Sequence, residues 1–527
     1  MVIVGGGPTG LTMATLLACH GIDCVILERH RTPYQLPRAV HLDDEVLRIL
    51  QASGAADDVT RICRPALGMR LVDMRLRTLV EIRRDRPAGT HGWPETNMFD
   101  QPDLERVMRA NLERHPTATL IPGHEAIRVQ VLADGTAAVT LRNTDTGDES
   151  TTTARYVLGC DGANSTVASA IGAGTRDLGF DQRWLVVDAH CDRDLRMWPG
   201  VHQICAGQRS ATFMQIGDDR YRWEFRLPDD HSPEAGGGIT ETRVRALLQP
   251  WVPAGDATVR VLRHTIYSYR AQVTRAWRSG PLFLLGDAAH LTPPFIGQGL
   301  GAGQRDAMNL AWKLAAVLHG HADDRLLDTY EPERRRHAVR AIRAATAIGR
   351  IMSARPTLAV RAAHAVLRRT SRIPGPDELA NRILTPPLRG SALTHRRPAL
   401  PLFRPNTIGT QIPQDMFNEG ATALRSDDVL GAGFALIYTG GRTPTLTDVG
   451  RRLNARVIHT ATLAHSSGAI DRWMRRNRLS EVLLRPDRIV LATVDHRGRM
   501  SPRHSWLPMF TKRSDKDTTA AAPHTSQ

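Results

Sequence analysis

The sequence predicts an α/β protein of three parts: a parallel-sheet domain built on βαβ units, an inserted and mainly antiparallel β-sheet, and a small C-terminal α/β unit. Three observations predict it. A β-branched strand, Val2-Ile3-Val4, runs straight into a glycine-rich turn followed by a helical pattern and a second strand. Period-two alternation dominates the middle of the chain, between Trp184 and Val261. Pro and Gly then cluster at Ile373–Gly375, Pro386-Pro387 and Pro398–Pro405, ahead of a last group of strands. A chain of 527 residues is also too long for one ordinary core.

The first strand is short, as a clipped start at Met1 would leave it. It leads into Gly5-Gly6-Gly7-Pro8-Thr9-Gly10, a GxGxxG match. Gly5 permits the tight turn, Gly7 lets the backbone approach a pyrophosphate, and Gly10 allows close helix packing. A helix over Leu11–His20 would present its first N–H groups to the phosphates. The second strand, Cys24–Leu27, ends at Glu28, an acidic residue at the distance that holds an adenosine ribose 2′-OH. A purely structural glycine turn is the alternative, and this context argues against it.

Strand patterns follow over Leu71–Ile82, Trp184–Val187, Thr212–Gln215 and Tyr221–Leu227. In the last, Tyr221, Trp223 and Phe225 share one face, which is either a ring-binding wall or ordinary core. Arg222, Arg226 and Arg270 offer forks for a substrate carboxylate, or are solvated surface charges. The apolar strand Leu282–Leu285 then runs into Gly286-Asp287-Ala288-Ala289-His290, Pro293-Pro294 and Gly297-Gln298-Gly299. A carboxylate at a strand end can accept hydrogen bonds from ribityl hydroxyls, with the glycine loop letting backbone lie against a flat ring; an ordinary buried strand-helix turn is the alternative reading. Helices are expected over Gly301–His319, with Asn309 making a polar contact near its start, and over Leu326–Ile351. The expected boundaries put 1–70, 96–178 and 280–372 in the first domain and 71–95 and 179–279 in the inserted sheet. A linker covers 373–406. The C-terminal unit, 407–510, has strands at Gly433–Tyr438, Ala455–His459 and Arg488–Val494, and 511–527 forms a polar, disordered tail.

Composition narrows the function. The net charge of +15 comes from dispersed arginines, and aromatics at 5% provide no stacking platform, so nucleic acid is not the expected partner. Attraction of anionic cofactors and carboxylates accounts for the same charge. No apolar run approaches the ~20 residues of a membrane span, and no signal peptide is visible, which places the protein in the cytoplasm without integral membrane association. Six cysteines without CxxC or Cys/His spacing read as reduced thiols, with no metal site.

A GxGxxG near residue 1, the central Gly159-Cys160-Asp161-Gly162-Ala163-Asn164-Ser165, and the late Gly286-Asp287 resemble the single-component FAD-dependent aromatic hydroxylases. This is the class of p-hydroxybenzoate hydroxylase. Pro37-Arg38-Ala39-Val40, Asp43-Asp44-Glu45 and Phe99-Asp100-Gln101 add to the likeness. The resemblance covers residues 1–350 well and the C-terminal unit, similar to a thioredoxin-like extension, more loosely. It implies a Rossmann-like FAD-binding domain contacted by Gly5, Gly7, Pro8, Thr9, Gly10, Glu28, Arg29, Arg38, Gln101, Asp161, Gly286, Asp287, Pro294, Gly297, Gly299, Leu300 and Asn309. It implies NADH or NADPH as co-substrate, dioxygen that adds at flavin C4a, and transfer of one oxygen atom to an electron-rich phenolic ring. Asp287, Pro293, Gln298 and Gly299 would floor the reaction site. His41 and His290 are candidate proton acceptors, or hydrogen-bonding structural groups. Segments Asp43–Arg48, Gly92-Trp93-Pro94, Arg305–Leu314 and Leu327–Arg335 are similar to the branch acting on 3-(3-hydroxyphenyl)propionate and 3-hydroxycinnamate. Polyketide hydroxylases share several of these segments. A halogenase or reductase on the same fold, although a WxWxIP motif is absent, and a non-catalytic FAD-binding paralogue are the other readings. One departure stands out: Ala168 occupies the position where the family carries an arginine, which puts coenzyme handling in doubt. The C-terminal unit, which lacks cysteine, would serve packing or a homodimer contact.

Overall fold

The computed structural model describes residues 1–227, 239–251, 259–354, 357, 386–394, 407–419, 422–440, 443–463, 468–501 and 506–510. The expected tail, 511–527, and most of the expected linker lie outside these residues. Two compact units form: Met1–Met308 with His337–Pro386, and Asn309–Arg336 with Pro387–Gln527. The chain therefore does not divide at the Pro-rich segment alone, because Asn309–Arg336 clusters with the C-terminal residues.

In the first unit the short apolar runs become a six-stranded sheet. Its order is Arg278–Ser279, Leu282–Leu284, Val157–Gly159, Val2–Val4, Cys24–Glu28 and Ala118–Pro122. All pairings except the outermost, at Arg278–Ser279, are parallel. Such strands are covered on both faces and read as unbroken apolar runs; Ile3, Val157, Phe283 and Leu284 are wholly buried. The crossover helix Pro8–Cys19 starts three residues before the expected point, because Pro8 fits the first helical turn. From Val2–Val4 the chain steps first to Cys24–Glu28 on one side and later to Val157–Gly159 on the other. That reversal opens a crevice at the carboxyl ends of the strands.

The second sheet of this unit has eight strands. In order they are His290–Leu291, Val259–Thr274, Thr175–Cys191, Arg220–Arg226, Ala211–Gln215, Val201–Ile204, Gly68–Val72 and Thr78–Arg83. Pairing is antiparallel except between Val201–Ile204 and Gly68–Val72. Its two faces differ. Tyr221, Trp223 and Phe225 point into a core with Leu185, Val187, Phe213 and Val244, so this face is packing and not a ring-binding wall. Arg222 and Glu224, one residue out of phase, take the opposite face.

In the second unit a mixed sheet runs Arg456–His459, Ala435–Tyr438, Leu479–Leu484, Val490–Asp495, Met500–Ser501. One parallel pair is flanked by antiparallel strands, with helices Thr447–Arg452 and Ala469–Arg476, as the thioredoxin-like expectation has it. The same unit contains a buried ionic cluster. Glu333 accepts from Arg485 (3.0 Å), Lys313 (3.0 Å) and Asn309 (2.8 Å), all nearly free of solvent. Burial alone would raise Glu333; Arg485 and Lys313 outweigh it and hold the carboxyl well below the usual range.

Trp223 is fully buried at the centre of the antiparallel sheet's core. Trp223→Ala is expected to cost about 3–5 kcal/mol, read as a lowered thermal midpoint. A midpoint equal to the parent's would show that this face is not core.

Candidate functional site

Four sequence signals converge on the crevice because each sits just beyond the carboxyl end of a parallel strand. Gly5 follows Val4, Glu28 ends the neighbouring strand, Cys160 and Asp161 follow Gly159, and Asp287 lies just past Leu284. They line one cavity of about 930 Å³. Its walls also include Gly7, Pro8, Thr9, Arg29, Arg38, His41, Gln101, Pro294, Gly297, Gly299 and Leu300, and the polar face of the antiparallel sheet.

The glycines divide the work. At Gly5 φ is +102°, and a Cβ there would lie 2.4 Å from the Cys160 carbonyl oxygen. A Cβ on Gly10 would lie 2.0 Å from the Gly5 carbonyl oxygen, so Gly10 packs the helix against the turn and does not line the cavity. Gly7 differs: nothing lies within 4 Å of where its Cβ would be, and it faces the cavity. An open position at a helix N-terminus, where first-turn N–H groups lack intrahelical acceptors, fits a pyrophosphate. Glu28 accepts from the Gly6 (2.7 Å) and His30 (2.8 Å) N–H groups, which fixes its carboxylate at the cavity wall.

Asp161 accepts from the Thr166 (2.7 Å) and Val167 (3.3 Å) N–H groups, and Ser165 caps the same short helix through the Ala168 N–H (2.9 Å). The turn therefore forms without the arginine that Ala168 replaces. Asp287 reaches into the cavity, where solvent touches it; enclosure by the surrounding protein pushes its carboxyl up, against the pull of His290 and Arg38. Gly286 does not line the cavity. Its positive φ of +59° makes the turn, and its N–H donates to Asp306 (3.0 Å).

Several expected site residues are turned elsewhere. His290 is fully buried, bonds Asp306 (2.8 Å) and does not line the cavity, so it braces the Gly286 turn and is no proton acceptor for a substrate. Gln298 points away from the expected floor: its amide donates to Asp43 (3.0 Å) and its oxygen accepts from Arg305 (3.0 Å). Pro293 is buried behind the wall that Pro294 provides. Asn309 belongs to the other unit, where Glu333 and Lys313 occupy its side chain. His41 does line the cavity. Its Nδ1 donates to the Gly297 carbonyl (3.2 Å), and burial pushes its pKa down, leaving a neutral ring with Nε2 as acceptor.

The sequence reading missed the cavity's other wall. Arg222 is buried, not a surface charge; it bonds Asp188 twice, at 2.6 and 2.8 Å, and donates to the Arg38 carbonyl. Arg263 bonds Asp188 (2.7 Å), the Gln35 carbonyl (2.9 Å) and Asp100. Burial alone would raise Asp188; the two guanidiniums outweigh it and hold the carboxyl below its usual range. Gln101 accepts from the Ala39 N–H (2.9 Å). Residues 35–39 are thus held from three sides, with Arg38 over the Tyr34 ring at 4.4 Å. Arg226 is half-buried, while Arg270 is exposed at the cavity rim and pairs with Asp181 (3.3 Å). Strand alternation carried the signal for Arg222 and Glu224, but it does not say which face of a doubly covered sheet is apolar.

The contrast between the glycines is testable. Gly5→Ala is expected to lower both the thermal midpoint and FAD affinity. Gly7→Ala is expected to leave the apoprotein midpoint unchanged and to weaken FAD binding, measured by flavin fluorescence titration. Unchanged FAD affinity in Gly7→Ala would remove the pyrophosphate from this turn.

A family model described as FAD binding domain matches residues 1–345, and one described as HcaD C-terminal domain matches 409–501. The chain is 34% identical over 517 residues to a 3-(3-hydroxy-phenyl)propionate/3-hydroxycinnamic acid hydroxylase of Mycobacterium sp. (strain JLS), covering 93% of this chain and 88% of the relative. It is 32% identical to a probable NADH-specific resorcinol 4-hydroxylase of Rhodococcus jostii (strain RHA1), covering 92% and 90%. Aklavinone-11 hydroxylase, solved with FAD and aklavinone, superposes with a TM-score of 0.76 at 24% identity, covering 94% of this chain and 95% of that one. OxyS anhydrotetracycline hydroxylase from Streptomyces rimosus gives 0.74 at 24%, covering 94% and 96%. With the glycine turn and the carboxylates at the strand ends, these matches make the chain a member of the FAD-dependent aromatic hydroxylase family.

Proposed function

We propose that this enzyme hydroxylates a meta-hydroxyphenyl alkanoate, 3-(3-hydroxyphenyl)propionate or 3-hydroxycinnamate, to its 2,3-dihydroxy product, with NADH or NADPH and dioxygen as co-substrates. The observation that carries this reading is likeness along nearly the whole chain to relatives named for that activity. FAD, when bound, would supply the redox chemistry that links the nicotinamide and dioxygen.

The protein's own residues do the rest. Gly7 and the helix start at Pro8 would hold the pyrophosphate, Glu28 the adenosine ribose, and Asp287 the ribityl chain. Pro294, Gly297 and Gly299 would lie along the ring system. Phe295, stacked edge-on against Trp184 (5.3 Å) and Tyr269 (6.0 Å), closes the adjoining wall with apolar surface. Excluding water there would shield the oxygen chemistry that bound FAD supplies from side reactions. A polycyclic phenol is the second reading, favoured by the fold match to aklavinone-11 hydroxylase.

With the FAD-loaded enzyme, 3-(3-hydroxyphenyl)propionate is expected to stimulate NAD(P)H oxidation and to gain one atom of labelled dioxygen. Stimulation by polycyclic phenols but by no phenylpropanoid would overturn the substrate assignment.

A further inference from the structure

Among the described residues, Glu224 is the one acidic side chain that the antiparallel sheet turns toward the cavity. Placing it there has a cost, since the residue is 6% exposed and a buried carboxylate normally demands a cation. The nearest cation attracts it but gives it no hydrogen bond. Arg222, two residues away on the same face, is committed to Asp188 and to the Arg38 carbonyl. Glu224 instead accepts a single hydrogen bond, from the Tyr269 hydroxyl to Oε2 at 3.1 Å. Its Oε1 has no partner among the described residues, and it is not among the occluded, unbonded atoms, so it opens to the cavity.

The position matters as much as the pairing. The Tyr269 ring stacks on Trp184 (5.6 Å) and meets Phe295 edge-on (6.0 Å). Phe295 belongs to the turn Pro294–Ile296, and Gln203 ties that turn to the sheet by donating to the Phe295 carbonyl (3.1 Å). Glu224 therefore stands beside the loop that would border the flavin ring.

We propose that Glu224, oriented by Tyr269, is the base that takes the phenolic proton of the substrate. The inference rests on the reading that the substrate is a phenol, whichever phenol that is. In the step, the substrate O–H bond breaks and the proton passes to Glu224 Oε1. The electron pair stays on the phenol oxygen and is delocalised onto the ring carbons ortho and para to it, which an electrophilic oxygen attacks. Burial raises the Glu224 carboxyl above the ordinary range, while Arg222 and Tyr269 oppose it, and a base so raised is better matched to a neutral operating pH. The groups facing it are Arg222 on its own strand, Tyr269 from Val259–Thr274 and Asp188 from Thr175–Cys191. Its cross-strand neighbours, Val186 and Thr212, do not titrate.

The test compares FAD-loaded parent, Glu224→Gln and Tyr269→Phe on a series of ring-substituted phenols of increasing acidity, starting from one that the parent hydroxylates. The rate of product formation is the readout, with product formed per NAD(P)H consumed measured beside it. Glu224→Gln is expected to lose roughly 10²–10⁴-fold in product formation on the least acidic phenol. It should recover toward the parent as the phenol becomes acidic enough to ionise unaided. Product formation by the parent should rise with pH as Glu224 loses its proton, and Glu224→Gln should lack that rise. Tyr269→Phe, which removes the donor to the carboxylate, should move the rise to higher pH. An equal loss on every phenol, no loss on any, or an unmoved rise in Tyr269→Phe would overturn the assignment. Because the series starts from any phenol the parent accepts, failure of the phenylpropanoid assignment leaves this test intact.

Discussion

The site depends on one buried carboxylate. Asp188 sits almost without solvent between Arg222 and Arg263, and the two guanidiniums carry its influence outward to the Arg38 carbonyl, the Gln35 carbonyl and Asp100. Burying such charges costs several kcal/mol per ion before their attraction offsets it. Hydrophobic residues of similar volume would fill the space at lower cost but could not grip a loop by its carbonyls. What the ionic arrangement provides is position: it fixes residues 35–39, which have no regular structure of their own, as one wall of the cavity. A second clamp works the same way nearby. Arg305 joins Asp43, Glu45 and Gln298, and so holds the glycine loop 297–299 against the start of helix Asp44–Ala52.

The two sheets of the first unit contribute different chemistry for a simple geometric reason. Parallel strands meet the cavity only at their carboxyl ends and the turns that follow, so that side of the cavity is made of glycines, helix N–H groups and isolated carboxylates at strand tips. The antiparallel sheet presents a whole face, and period-two alternation lets one strand serve two purposes. Tyr221, Trp223 and Phe225 bury apolar area on one side, while Arg222 and Glu224 line the cavity on the other. The same substitution shifted by one residue along Arg220–Arg226 would therefore trade a stability defect for a site defect.

The parallel-sheet half of the site was legible because its function is written in local backbone requirements. A positive φ at Gly5, a helix packed on Gly10 and an acid at the end of the next strand recur at fixed spacing, and spacing survives in a single sequence. The other half was not, because it depends on pairings across long separations, such as Arg222 with Asp188 and Gln298 with Asp43. Charge on a strand reads as solvent exposure unless the partner is known, so Arg222 looked superficial. His290, Gln298 and Asn309 failed for the complementary reason. Each lies in or beside a motif, yet each finds a buried partner, Asp306, Arg305 or Glu333, that turns its side chain away from the cavity. The chain's division followed the same pattern, since the Pro-rich segment was visible but the clustering of Asn309–Arg336 with the C-terminal residues was not.

The central claim is that the cavity is a single FAD and substrate site whose second wall is held by Asp188. Flavin affinity in Asp188→Asn tests it most directly, because Asp188 itself does not line the cavity and holds its wall through Arg222 and Arg263. Removing the negative charge leaves the buried Arg222 guanidinium without its carboxylate and Arg263 with Asp100 alone, a change of about 3–5 kcal/mol for a broken buried pair. The account predicts a lower thermal midpoint together with weaker FAD binding than in the parent. Parent-like FAD affinity in Asp188→Asn would contradict it.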